Sequence, residues 1–337
     1  MKAWKSRGAL FAALRATPRA ALFAGLALAT AAFGQQEIFP ARRINFVIPF
    51  ATGNGIDQLG RELAEVLRTQ INQPVVVDNR DGAASIIGAN FVARSAPDGY
   101  TMMIVGNPPF TVAPLLQKEP PFDVLTAFTP VAKIGAVPLV AVSAASLPFR
   151  NWQEFIAYVR ANPDKSNYAA SGAGAPGQLY MELVKQQANL KLQEISYKST
   201  AQAMTDTLGG QVQVSLVSVP AAAAYIKAGT LRALAMGSPK RLASMPEVPT
   251  LAELLNQPGF EASVWYGVFV PAGTPRERVN KLYQEIAKAT QDKRVVDLMA
   301  RAAVTPDLQD PQQFAESLRK DVELARRMVR VARLTPQ

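Results

Sequence analysis

The sequence predicts an α/β protein built as two lobes, and three observations carry that reading. Short apolar strands alternate with amphipathic helices along the chain, the pattern of βαβ units. Beyond a 34-residue leader about 303 residues remain, more than one hydrophobic core usually serves. A strand, a Gly-rich loop and a helix follow one another in that order once in each half.

The first 34 residues stand apart from the rest. Lys2, Lys5, Arg7, Arg15 and Arg19 form a basic leader with no acid, and the apolar run from Ala20 to Ala29 follows. Ala32-Phe33-Gly34 then places small residues at −3 and −1 from Gln35. This is the pattern of a secretory signal peptide over residues 1–34, cleaved near Gly34. The competing reading, a membrane anchor, needs about 20 apolar residues, and the run is shorter. Loss of the leader's five positive charges lowers the formal net charge from +10 to +5. No Lys/Arg cluster with interleaved aromatics remains, so no nucleic-acid partner is expected.

Ile44–Ile48 reads as a strand that enters Pro49-Phe50-Ala51-Thr52-Gly53-Asn54-Gly55-Ile56-Asp57. Ile56, Leu59, Leu63, Val66 and Leu67 then make a helical stripe, with Arg61, Glu62 and Glu65 off it. The first N–H groups of such a helix have no internal partner. With the positive end of the helix dipole, they suit a carboxylate or phosphate. The unit recurs about 118 residues later. Residues 166–170 read as a strand end, and Ser171-Gly172-Ala173-Gly174-Ala175-Pro176-Gly177 as the loop. Leu179, Tyr180, Leu183 and Val184 form the stripe, and Pro176 suits a first helical turn. A single Gly-rich loop is most often only a turn. Two of them, one in each half, point to facing anion-binding edges of a cleft beyond the carboxyl ends of strands. Tyr197-Lys198-Ser199-Thr200 opens a third short helix that stops at Gly209-Gly210. Ser199 or Thr200 is there a helix cap, a ligand contact, or both.

Val75–Val77, Thr101–Val105 and Leu231–Met236 read as buried parallel strands. Residues 276–300 and 311–334 read as two closing helices, with Glu285, Lys288, Glu323 and Arg327 on wet faces. The absences narrow the chemistry. The chain has no His and no Cys, so a Ser-His-Asp triad lacks its base and zinc its two commonest ligand types. No phosphate-binding Gly-x-x-x-x-Gly-Lys loop is present. Neither a catalytic residue, a metal nor a cofactor is expected.

A set of segments in fixed order carries a further reading. They are Pro49-Phe50-Ala51-x-Gly53-x-Gly55-x-Asp57, Asn79-Arg80-x-Gly82-Ala83, Ala96-Pro97-Asp98-Gly99-Tyr100-Thr101 and Asn167-Tyr168-Ala169-x-Ser171-Gly172-x-Gly174. Tyr197-Lys198, Leu208-Gly209-Gly210-Gln211-Val212, Leu231–Ala235 and Pro271-Ala272-Gly273-Thr274-Pro275 complete it. Over nearly the whole mature chain the sequence resembles the substrate-binding proteins of tripartite tricarboxylate transporters, the Bug family. The resemblance implies a type II periplasmic-binding-protein fold, two Rossmann-like lobes with a ligand cleft between them. Residues 36–138 and 263–337 would form one lobe and residues 139–262 the other. It implies a monomer in the periplasm, a small carboxylate ligand, and two integral-membrane transporter subunits as partners. The candidate contacts are Phe50, Thr52, Gly53, Asn54, Gly55, Asp57 and Asn107 on one side. On the other they are Ser171, Gly172, Ala173, Gly174, Ala175, Gln178, Tyr197, Ser199, Thr200 and Ser218. Asn54 and Ser199 stand where the family usually has glycine, Gln178 where histidine is frequent, and Ser218 where Asp or Asn is common. Neither loop contains Arg or Lys, so a carboxylate would be held by dipoles and hydroxyls. Phe50, Phe110, Tyr168 and Trp265 are candidates for an aromatic lining, with core packing the competing role for at least two. A periplasmic sensor and a periplasmic enzyme are the rival readings.

Overall fold

The computed structural model describes residues 39–172 and 174–336, so the leader and Ala173 lie outside the described residues. All the strands and helices belong to the unit Arg42–Gln337. Strand β1 (Ile44–Ile48) and helix α1 (Gly55–Ile71) form the first expected unit, and Ile56, Leu59, Leu63, Val66 and Leu67 are all buried. β2 (Val75–Asn79), α2 (Ile86–Ala93) and β3 (Thr101–Gly106) come next, with β2 and β3 both parallel to β1. Thr101–Val105 is the buried strand its composition predicts. Val75–Val77 is not. β2 is the edge of the sheet, paired only with β1, and Val76 is 40% exposed.

Two short helices, α3 (Pro109–Val112) and α4 (Val124–Ala127), lead into the long strand β4 (Phe128–Ala144). Next come α5 (Trp152–Ala161), β5 (Asn167–Ala170), α6 (Pro176–Ala188), β6 (Gln193–Ser196) and α7 (Thr200–Leu208). β7 (Val214–Ser218), α8 (Val219–Lys227), β8 (Leu231–Met236) and α9 (Leu251–Leu254) complete this stretch. β5 lies between β6 and β7 and is parallel to both. β8, expected as a parallel strand, runs antiparallel to β4, from Val140↔Met236 to Ala144↔Leu231. A buried apolar run fits either direction, because both faces of the strand are covered whichever way it points.

The chain returns through β9 (Ser263–Pro271), then α10 (Arg276–Ala289), α11 (Lys293–Arg301), β10 (Thr305–Gln309) and α12 (Pro311–Val331). The single helix expected over 276–300 is therefore two. The break falls where the Asp292 carboxylate accepts the Arg294 N–H and starts a new helix. Glu285, expected on a wet face, is buried on the inner side of α10 beside Leu282 and Ile286. Lys281 Nζ at 2.8 Å and Lys288 Nζ at 3.3 Å neutralise it there. Lys288, Glu323 and Arg327 are exposed as expected.

β4 joins everything. It pairs antiparallel with β9 from Phe128↔Pro271 to Pro138↔Ser263, then with β7 from Leu139↔Ser218. The full sheet order is β2-β1-β3-β9-β4-β7-β5-β6, with β8 and β10 also on β4. One core gathers Phe110, Phe122, Phe128, Trp265, Phe269 and Phe314, with ring centroids 5.0–6.3 Å apart. A second gathers Phe149, Trp152, Phe155 and Tyr168 with Leu179, Leu183 and Leu216. Phe110, Tyr168 and Trp265 are thus core residues, and of the four aromatic candidates only Phe50 is half-exposed. Among the described residues no helix is long and apolar enough to cross a membrane.

Candidate ligand-binding site

The two sets of parallel strands run in opposite directions and bring their carboxyl ends together at the middle of β4, β3 ending where Gly106 pairs Tyr266 beside Gly135 and β7 where Ser218 pairs Leu139. β1 ends at Pro49–Asn54 and β3 at Asn107, while β5 ends at Ser171, β6 at Tyr197–Thr200 and β7 at Ser218. The described candidate contacts fall on these strand ends or on the loops and first turns that lead from them into α1, α6 and α7. Ala173 lies outside the described residues.

In the first loop Gly53 takes φ +89°, a conformation that side chains rarely adopt, so the turn needs glycine. Asn54 caps α1 by accepting the Asp57 N–H at 2.9 Å. Asp57, the third helical residue, is 2% exposed and reaches back to accept the Gly53 N–H at 2.8 Å. Its other partners are Asn79 Nδ2 at 2.8 Å and Arg61 Nε at 3.0 Å. Asn79 Nδ2 also donates to the Phe50 carbonyl, which fixes the loop from its other end. Burial works to raise the Asp57 carboxyl, but the Gly53 N–H, Arg61 and Asn79 together outweigh it and hold the group below its ordinary range. Asp57 therefore shapes the loop, its oxygens engaged. Thr52, Gly53, Asn54 and Gly55 are exposed, and the Gly55 and Ile56 N–H groups have no partner among the described residues.

The second loop is held in the same way. Gly172 and Gly174 have φ +110° and +77°. Gln178, again the third helical residue, is 4% exposed, and its Oε1 accepts the Gly174 N–H at 2.7 Å. Its amide nitrogen donates to both oxygens of Glu194, 3.0 and 2.9 Å away. Glu194 also accepts from Ser196 Oγ and from the Tyr168 hydroxyl, which in turn donates to Glu182. Burial works to raise the Glu194 carboxyl, and the bonds from Gln178, Ser196 and Tyr168 override it to hold the group low. Pro176 sits in the first turn of α6, and the Gly177 and Gln178 N–H groups have no partner among the described residues. A side chain at Gly177 would collide with the Leu216 carbonyl, so glycine lets α6 begin directly against β7. Each loop thus offers two orphan N–H donors at the positive end of a helix of at least 13 residues.

The remaining candidates divide. Ser199 is a helix cap, its Oγ accepting the Gln202 N–H, and Ser199 and Thr200 are both exposed. Tyr197 is buried, with its N–H on the Ala170 carbonyl and its hydroxyl on Asp206, so β6 is tied to the root of the second loop. Asn107 is 5% exposed and accepts the Trp265 N–H through Oδ1 at 2.7 Å, joining the end of β3 to β9. Ser218 stands before α8 with no capping bond from its side chain. Sequence reasoning passed over two neighbours. Leu116 Cδ1 lies 3.6 Å from where a Gly174 Cβ would be, and the Tyr266 hydroxyl lies 3.8 Å from where a Gly55 Cβ would be. Both sit in apolar segments whose pattern signals only burial.

Residues 59–334 match the tripartite tricarboxylate transporter family receptor, TctC. The chain belongs to this family. BugT of Bordetella pertussis is 36% identical over 293 residues, 86% of this chain and 90% of that protein. Among solved structures, the periplasmic binding protein BugD is 32% identical with TM-score 0.68, covering 89% of this chain and 100% of BugD. R. palustris Rpa4515, solved with adipate, is 30% identical with TM-score 0.71, over 89% of this chain and 100% of that one. The TctC-type receptors are periplasmic binding proteins, and this chain has their α/β fold and their solute-binding role. The carboxyl-end loops lie where open α/β sheets hold ligands.

Proposed function

We propose that this TctC-type receptor captures a small carboxylate between its two Gly-rich loops and passes it to two integral-membrane transporter subunits. The observation that carries the reading is the matched construction of the loops. In each, the third helical side chain, Asp57 or Gln178, accepts the N–H of a loop glycine four residues back. That tie presents the first helical N–H groups outward without a cation. A carboxylate accepts from several donors at once, so two such helix ends suit it better than a neutral solute. The adipate held by Rpa4515 supports the same class of ligand.

Two lobes, residues 36–138 with 263–337 and residues 139–262, belong to this reading. It draws support from the partner exchange on β4, which leaves β9 at Pro138↔Ser263 and takes up β7 at Leu139↔Ser218. The receptor would leave the cell interior by its leader, with cleavage near Gly34, and act as a monomer. It would bind without turning its ligand over, since the carboxyls beside the loops, Asp57 and Glu194, are committed to hydrogen bonds. A melting screen tests the central claim. At about 100-fold over the dissociation constant a ligand adds roughly 2.7 kcal/mol. At least one carboxylate is expected to raise the melting transition where its amide does not. Equal shifts from acid and amide throughout the series would refute anion capture, and recovery of altered ligand would refute the non-enzymatic part.

A further inference from the structure

On the first side of the site one polar group has a place but no partner. Tyr266 stands in β9, aligned with Gly106 at the end of β3. A Cβ at Gly106 would come within 3.2 Å of the tyrosine ring, so the glycine is what leaves room for the ring to lie across the strand end. From there the hydroxyl reaches the start of α1, 3.8 Å from where a Gly55 Cβ would stand. Gly55 is the first residue of that helix, and its N–H and that of Ile56 are unpaired among the described residues.

Three more deeply buried tyrosines have bonded hydroxyls, whereas those of the half-buried Tyr158 and Tyr283, like that of Tyr266, have no hydrogen-bond partner among the described residues. Tyr168 donates to Glu182 and Glu194, Tyr180 to the Ser263 carbonyl, and Tyr197 to Asp206. Tyr266 makes no hydrogen bond to any described residue, although its ring is half-buried. A tyrosine with its ring packed usually finds an acceptor for its hydroxyl. Burial also raises its ionisation above the ordinary phenol range, so the group stays a proton donor.

We propose that Tyr266 is a specificity-determining residue of the first loop, its hydroxyl donating to the same ligand carboxylate that the Gly55 and Ile56 N–H groups receive. This role rests on the carboxylate-receptor reading. The three donors come from a helix start and a strand on different sides of the bound group, so together they fix its orientation as well as its charge. A ligand with a methyl ester or amide in that position would meet donors with a weaker acceptor.

The test is Tyr266→Phe, with Tyr225→Phe on exposed Tyr225 as the control. Wild type and both variants are titrated calorimetrically with adipate and the other straight-chain dicarboxylates from succinate to suberate, and each unbound protein is melted. Loss of a hydrogen bond to a charged group is expected to weaken binding of the best diacid at least tenfold in Tyr266→Phe, about 1.4 kcal/mol. Its unbound melting temperature should not move, because the hydroxyl has no internal partner to lose. Tyr225→Phe should change neither. Unchanged affinity in Tyr266→Phe overturns the role while leaving the receptor reading intact. A drop of several degrees in the unbound melting temperature also overturns it, by showing the hydroxyl to be structural. Failure of the wild type to bind any of the diacids, or any carboxylate of the melting screen, overturns carboxylate capture and this role with it.

Discussion

At the scale of single residues, the two loops depend on atoms that are missing as much as on those present. Gly177 has no Cβ to strike the Leu216 carbonyl, so Gly177→Ala would push the start of α6 off β7. Overpacking of this kind costs about 1–3 kcal/mol, which a thermal melt will show as a lower transition. Ser171 tests the opposite quantity, charge. Ser171→Asp would place a carboxylate beside the bound one, where repulsion at about 4 Å is roughly 1 kcal/mol in water and several-fold more at a protein-like dielectric. Calorimetry should find binding weakened at least tenfold in a variant that circular dichroism shows to be folded, with Ser171→Ala losing only about 0.5–1.5 kcal/mol. Wild-type affinity in a folded Ser171→Asp protein would place the ligand elsewhere. These positions were legible because Gly and Pro in a loop advertise the backbone they permit. Asp57 was legible as the end of the first loop's motif and as a candidate ligand contact. That its oxygens close the Gly53 turn from within comes from a side-chain direction that spacing does not encode.

At the scale of elements, α1 and α6 are built by one rule with different chemistry. The tie to the loop is a carboxylate in α1 and a neutral amide in α6, so acid acts on the first directly and on the second only through Glu194, to which Gln178 donates. Asp57→Ala would strand the Gly53 N–H and the Asn79 amide and should lower stability by about 2–3 kcal/mol at neutral pH. Because the folded-state pKa of Asp57 is depressed, its contribution is present above the ordinary value of 3.8 and lost as pH falls through the lower, folded one. The gap in melting temperature between wild type and Asp57→Ala should accordingly narrow below about pH 4. A gap that widened in acid would contradict the depressed value. The stripes of α1 and α6 and the strands β1 and β3 were readable because one face or both are buried and the period reports it. The antiparallel sense of β8 and the exposed edge at β2 were not, since composition carries neither direction nor neighbours. Glu285 was misread for a related reason: charge suggests water until the two lysines that neutralise it are seen. Tyr266 was hidden in an apolar strand, and only the β3–β9 register brings it to the ligand loop.

At the scale of the molecule, the join between β4 and β9 is guarded by a carboxyl in an unfavourable place. Asp321 of α12 accepts the Trp265 indole N–H at 2.6 Å. Burial raises it to about 6 against the pull of Lys133 and that indole bond, and Glu261 adds to the rise. A carboxyl raised in this way favours the folded state fully below the ordinary 3.8, and the benefit is lost as pH rises through about 6. Asp321→Asn should thus melt higher than wild type at about pH 8, the difference fading toward about pH 4. A variant less stable at pH 8 would mean that the ionised group is needed beside Lys133. Intact-mass measurement of the exported protein checks the other end of the chain, where loss of residues 1–34 is expected. The order in which the strands are made also matters. β4 finds its partners in β7, β8, β9 and β10, every one of them later in the chain, and β3 too waits for β9. Until those residues have been synthesised, the N-terminal half can pair only β2, β1 and β3 with one another. Contacts so distant in sequence form slowly. The ribosome therefore delivers the central strand long before anything that can hold it, which would keep a chain carrying an export leader open while it is threaded through a membrane.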